Sequence, residues 1–186
     1  MIMSNKLNSK IMKKFFSIMF MALVAMVCVT TFTACGGSDD DDALGTDYSD
    51  VSIGSHRIDV EFEGNTTPWT TTVGFSAVKA SASGMGAQLY ENGKELNMSA
   101  GSWSEDTFRS YSISTDDRCQ TLCCVLYIRP NTHSTTLEPI TIRMRGYVNG
   151  NQKKEQIFTI EDNNKAKIIT FFSEINEGDN VQEFNY

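Results

Sequence analysis

The chain has 186 residues, 23 acids against 16 bases, and a formal net charge of −7. An acidic balance of this kind argues against nucleic acid and against anionic membrane surfaces as partners, because both carry the same sign of charge. It identifies no partner by itself.

The chain begins with a basic stretch. Lys6, Lys10, Lys13 and Lys14 fall in the first fourteen residues, with no acid among them. An uncharged apolar run follows from Phe15 to Phe32. Its eighteen residues lie near the lower limit for a spanning helix, so a permanent transmembrane anchor is one reading. The exit of the run favours another. Thr33 and Ala34 before Cys35, and Gly36-Gly37 after it, are small residues that let a peptidase grip an extended backbone. A basic start, an apolar middle and a small-residue exit make a cleavable signal.

These residues resemble a bacterial lipoprotein signal with its lipobox, with Phe32 where leucine is usual. The resemblance covers roughly the first forty residues. It implies that 1–34 is removed and that Cys35 becomes a lipidated N-terminus carrying diacylglycerol and a further acyl chain. More than one chain is needed, because a single chain gives only marginal, reversible membrane binding. Loss of the four leading lysines lowers the net charge to −11. The next residues, Ser38, Asp39, Asp40, Asp41 and Asp42, resemble the surface-export signal of lipoproteins in Bacteroides and its relatives. That resemblance implies the outer face of the outer membrane; the plainer reading is a solvated acidic spacer. From 35 to 54 Gly, Ser and Asp dominate. Such a segment cannot bury enough apolar surface to order itself, and twenty residues of flexible tether reach about 25 Å.

From His56 the apolar period becomes two, the period of a half-buried strand. Ile58, Val60 and Phe62 alternate with Asp59, Glu61 and Glu63, and Gly64 to Pro68 ends the strand with turn chemistry. A second strand spans about Thr70 to Lys79. Asn92-Gly93 turns a hairpin between Ala87–Tyr90 and Glu95–Met98, because both residues accept positive φ. Trp103 lies in a Gly/Ser setting that reads as a loop. Thr107–Thr115 and Leu122–Arg129 are the next strands, and Pro130 stops the latter because it has no N–H for the ladder. Ile140, Ile142, Met144, Gly146 and Val148 form the longest alternation. Asn149-Gly150-Asn151 is a second hairpin turn leading into Gln156–Ile160. Lys167–Phe172 is the last clear strand, and 176–186 reads as a frayed or edge-bound tail.

No segment after the tether keeps a helical period over three turns. Seven to nine short strands separated by turns predict an antiparallel immunoglobulin-like β-sandwich over 55–175, with a small lipocalin-like barrel as the alternative. The links Thr115–Leu122 and Pro130–Pro139 are long enough to cross between sheets. About 130 residues suit one domain with a real core.

Chemistry-bearing residues are sparse. His56 and His133 are the only histidines, neither in a metal spacing, and no G-x-S-x-G elbow occurs. The expectation is therefore a protein without catalytic site, metal or cofactor. Cys119, Cys123 and Cys124 survive removal of the signal and the lipidation of Cys35. They allow one disulfide outside the cytosol, or simple packing with Cys123 and Cys124 on opposite faces of a strand. Trp69 and Trp103, with Tyr90 or Tyr111, form a candidate ligand platform, since aromatic rings stack on sugars and anchor interfaces; core plugging is the competing role. Arg143, Arg145 and Tyr147 share one strand face, read as solvated, with an anion patch the weaker alternative.

Anchor, tether and absent catalytic motifs together predict a surface lipoprotein that binds glycans or proteins. The alternative is a pilus-type structural subunit, exported as a lipoprotein and trimmed at a site such as Arg57. A hydrolase using His56 or His133 is the third expectation.

Overall fold

The computed structural model describes residues 52–79, 86–97, 102–131, 138–161, 165–174 and 179–184. The signal segment, Cys35, Ser38, Asp39, Asp40, Asp41, Asp42 and His133 lie outside the described residues.

Alternating burial drives the strands. β8 (Ile140–Val148) shows it most plainly: every second residue is buried, and Thr141, Arg143, Arg145 and Tyr147 face outward. The period of two leaves one face dry and one face wet. The other strands are β1 (His56–Glu63), β2 (Trp69–Lys79), β3 (Leu89–Glu91), β4 (Lys94–Glu95), β5 (Ser102–Glu105), β6 (Tyr111–Thr115), β7 (Cys119–Pro130), β9 (Asn151–Ile160), β10 (Ala166–Phe172) and β11 (Asn180–Phe184). No helix occurs among the described residues.

Two antiparallel sheets form. One has the order β4-β3-β6-β1-β8-β9, the other β11-β10-β7-β2-β5. Each sheet has two free ends, so the fold is a β-sandwich and not the closed barrel considered as its alternative. The eleven strands among the described residues exceed the expected seven to nine. The surplus comes from the short edge strands β5 and β11, whose few residues carry too little alternation to be read from sequence. Trp103 accordingly sits in a strand, opposite Phe75. Thr107–Ser110, expected in a strand, precedes β6.

Both hairpins form as expected. Asn92 and Gly93 take φ of 51° and 76°, Asn149 and Gly150 take 51° and 78°, the successive positive values of a type I′ turn. The described strands change sheet seven times, and the links after β6 and after β7 are among these crossings, as expected.

The core lies between the sheets. It is built from Ile58, Val60, Val73, Phe75, Ile113, Leu126, Ile128, Ile142, Met144, Ile169 and Phe171, among others. A second apolar cluster, Cys123, Val125 and Phe172, sits on the other face of the five-stranded sheet. β8 lies close against the end of β10 at Gly146. A Cβ on Gly146 would stand 2.1 Å from the carbonyl oxygen of Ser173, so only glycine allows this approach.

The strand directions give the sandwich two distinct ends. β1 starts and β10 finishes at one end, where the N-terminal side of the chain also enters. Ser52, Gly54 and Ser55 are fastened there. Ser52 N and Oγ donate to Glu174 at 3.0 and 2.9 Å. Gly54 and Cys119 exchange backbone hydrogen bonds at 3.0 and 3.1 Å. Ser55 N donates to Asn149 Oδ1 at 3.0 Å. Contacts with the sandwich thus begin inside the stretch expected to be tether.

Candidate functional site

The aromatic platform does not assemble. Trp69 opens β2 with its indole buried, and its Nε1–H donates to Glu138 O at 2.8 Å. Tyr111 is buried as well, and burial pushes its hydroxyl up to about 12. Trp103 is half-buried and packs on Phe75 and Tyr111, with ring centroids 6.2 and 6.1 Å away. Tyr90 follows inward-facing Leu89 in β3, so it projects from the opposite face to Tyr111. Trp69, Tyr111 and Trp103 fill space between the sheets, because large apolar area gains most when withdrawn from water.

The His56 environment is equally closed. Its Nε2 lies 3.0 Å from Ser52 O, and its Nδ1 lies 2.7 Å from Ser173 Oγ. A carbonyl only accepts, so Nε2 carries the proton and the Ser173 hydroxyl donates to Nδ1. Ser173 Oγ also accepts from Leu122 N at 3.4 Å. Both side chains are buried, so this serine–histidine contact faces no cavity. Burial lowers the His56 pKa and favours the neutral ring that these bonds require.

Cys119, Cys123 and Cys124 are buried thiols, and no disulfide joins them. Cys124 faces the core and Cys123 the opposite cluster. Cys119 Sγ donates to Thr121 O at 3.0 Å. Burial pushes its thiol up to about 12 and raises Cys124 also. Neutral, sealed thiols are poor nucleophiles and poor metal ligands. Among the described residues, no three His, Cys, Asp or Glu side chains converge to hold a metal ion.

Arg143 meets Glu155 and Glu63 at 3.0 and 3.5 Å, and Arg145 meets Glu61 and Glu155 at 3.0 and 3.3 Å. Arg57 lies over the Tyr147 ring at 3.8 Å. This outer face is a ladder of matched charges and aromatic cover, which leaves little field for an anion.

The two lateral seams of the sandwich differ, and that difference locates the candidate site. On one side β3 faces β5. Arg109 bridges them, bonding Glu91 on β3 and Glu105 on β5, the latter at 2.6 Å. The guanidinium also covers Tyr111, 4.2 Å from the ring centroid. Its hydrogen bond holds the Glu105 carboxyl below its usual range. This seam is shut.

The opposite seam lies between β9 and β11. Lys154 on β9 reaches Asp179, just before β11, at 2.6 Å, with side chains only 6% and 4% exposed. Lys154 lies 4.4 Å from the Phe171 centroid, and Asp179 Oδ1 accepts from Phe172 N at 2.8 Å. Burial pushes Lys154 down and Asp179 up. Beyond this pair the edges part. Gln156, Ile157, Phe158, Asp179, Asn180 and Val181 line a cleft of about 370 Å³. Ile157 is 55% exposed and Val181 45%. This open cleft, about as polar as it is apolar and flanked by two bare aliphatic side chains, is the candidate ligand site.

Neither residue was legible as functional. Val181 sits in a polar tail and gives no signal. Ile157 does give one: Ile157 and Phe158 are consecutive in a strand, and successive side chains point to opposite faces. One of the two must therefore face outward.

No protein-family model matches the chain, and no curated protein matches it. Solved structures do. A DUF4425 family protein from Bacteroides ovatus matches with a TM-score of 0.53 at 20% identity, covering 65% of this chain and 94% of its own. A domain of unknown function, DUF4425, from Bacteroides vulgatus matches with a TM-score of 0.53 at 18% identity, covering 66% and 97%. The calcium-bound form of a protein from Parabacteroides distasonis matches with a TM-score of 0.50 at 17% identity, covering 80% and 100%. At these identities the likeness is one of fold.

Proposed function

We propose that this chain is a cell-surface lipoprotein that acts as a non-catalytic binding module, and that its ligands are proteins rather than glycans. The observation that carries the ligand class is the open seam, with Ile157 and Val181 exposed beside two sheet edges. A free strand edge recognises extended polypeptide through main-chain hydrogen bonds, and adjoining apolar side chains supply the contact area. A glycan site would present aromatic faces, and Trp69 and Tyr111 present none. The anchoring half rests on the lipobox-like residues around Cys35 and the acidic run from Ser38 to Asp42. The bacterial source of the matched structures, Bacteroides and Parabacteroides, fits an export signal of that type. The calcium of the Parabacteroides distasonis protein has no donor cluster among the described residues here, and it is no part of this reading.

Two experiments test the proposal. Labelling of cells with a palmitate analogue should mark the full chain and not a Cys35→Ser variant, and external protease should reach the protein on intact cells. The ligand class is tested on a peptide array and a glycan array. Peptide capture that Ile157→Asp abolishes is expected. Glycan capture that survives Ile157→Asp and disappears in Trp103→Ala would overturn the reading.

A further inference from the structure

We infer that the polypeptide taken by the β9 side is a second copy of this chain, paired antiparallel through β9 about a two-fold axis at Ile157. The inference rests on reading that side as a protein-docking surface.

β9 ends the six-stranded sheet, and its one strand partner there is β8. It is ten residues long, against two for β4, four for β5 and five for β11. It is thus the longest sheet edge among the described residues. Proteins protect such edges with charge or by shortening them. Here the near half is protected: Lys154 is drawn inward to Asp179, and Glu155 is held by Arg143 and Arg145. The far half, Gln156 to Ile160, carries no charge, and Ile157 stands outward from it.

The residue order selects a register. A two-fold axis normal to the sheet sets residue i opposite residue 314 − i when Ile157 lies on the axis. Ile157 then meets its own copy, Glu155 meets Thr159, and Lys153 comes level with Glu161. A carboxylate faces a hydroxyl, unlike charges face each other twice, and the exposed isoleucine is covered from both sides. The same axis moved two residues towards Lys153 sets Glu155 on Glu155. Moved two residues the other way, it sets Ile157 on Glu161. Like charges directly opposite destabilise a pair, and apolar and opposite-charge pairs stabilise it. Of these three registers only the one centred on Ile157 has no cross-strand conflict and sets unlike charges opposite each other, and it joins two six-stranded sheets into one. This is an isologous contact, which closes as a dimer and leaves the β11 edges free.

Disulfide trapping in intact cells tests this on the full chain. Directly opposite residues in an antiparallel pair have Cα atoms about 4.5–5.5 Å apart, inside the range that a disulfide spans. Ile157→Cys should give a covalent dimer on mild oxidation. Thr159→Cys alone should not, whereas Glu155→Cys with Thr159→Cys should. In the Ile157→Cys background, Lys153→Glu should cut the dimer yield about tenfold, and adding Glu161→Lys should restore it. Restoration by a charge swap separates a specific register from lost folding. A dimer yield for Ile157→Cys no higher than for Thr159→Cys overturns the inference. If that happens while Ile157→Asp still loses peptide capture, the docking surface stands and the second copy falls.

Discussion

The Lys154–Asp179 pair is the sharpest place to test how the open seam is held. Both side chains are nearly sealed from water and their charged atoms lie 2.6 Å apart. Asp179→Ala would take the carboxylate away from an ammonium group held against the Phe171 ring and from the Phe172 N–H. Breaking a buried ion pair by removing one partner costs about 3–5 kcal/mol, and an unpaired buried N–H contributes about 1–3 of it. Asp179→Asn keeps an oxygen for Phe172 N and removes only the charge, so it should lose less. Lys154→Met also loses less, because Asp179 keeps the Phe172 N–H and can take up a proton. Combining Lys154→Met with Asp179→Asn should cost less than the sum of the two, by about 1–3 kcal/mol. Urea titration at pH 7 reads all four. With a slope of about 1–3 kcal/mol/M, Asp179→Ala should lower the midpoint by about 1–2 M with the slope unchanged. Added salt should leave the difference intact, because buried pairs are weakly screened. A midpoint for Asp179→Ala within about 0.3 M of the parent would refute the claim that this pair holds the seam.

Gly146→Ala forces a methyl group into the Ser173 carbonyl and should destabilise by about 1–3 kcal/mol, as overpacking does; thermal unfolding checks it. His56 has a lowered pKa in the folded chain, so the unfolded chain binds its proton more readily. Its contribution is complete above the unfolded value of about 6.5 and is lost as pH falls through the lower folded value. His56→Gln should flatten that part of a stability–pH curve measured by urea titration. Alkylation followed by peptide mapping should find Cys119, Cys123 and Cys124 unreacted in the folded chain and all three reacted in urea, since they are buried and outside any disulfide.

The sequence by itself determined the class of fold and most of its strands. The period of two in β1 and β8 needs no tertiary information, because a strand with one buried face must alternate. Asn92-Gly93 and Asn149-Gly150 likewise placed both hairpins, because few other residue pairs accept two successive positive φ angles. The opposite facing of Cys123 and Cys124 follows from the same pleat. Tertiary structure decided everything that depends on which strand lies beside which. β1 pairs with β6 and β8, and β7 with β2 and β10, far apart in the chain and without local signature. Trp69 and Tyr111 have the composition of a binding platform, and only packing showed them to be plugs. A ring's chemistry is the same in a core and at a surface, and burial alone separates the two. The closed Arg109 seam and the open Lys154–Asp179 seam came from residues that look like ordinary surface charges. Their partners lie across the sandwich, 18 residues away for Glu91 and 25 for Asp179. Ile157 shows the boundary most clearly. The strand pleat tells that it or Phe158 faces outward, but only the position of β9 at the end of its sheet makes that exposure a surface on which another chain can pair.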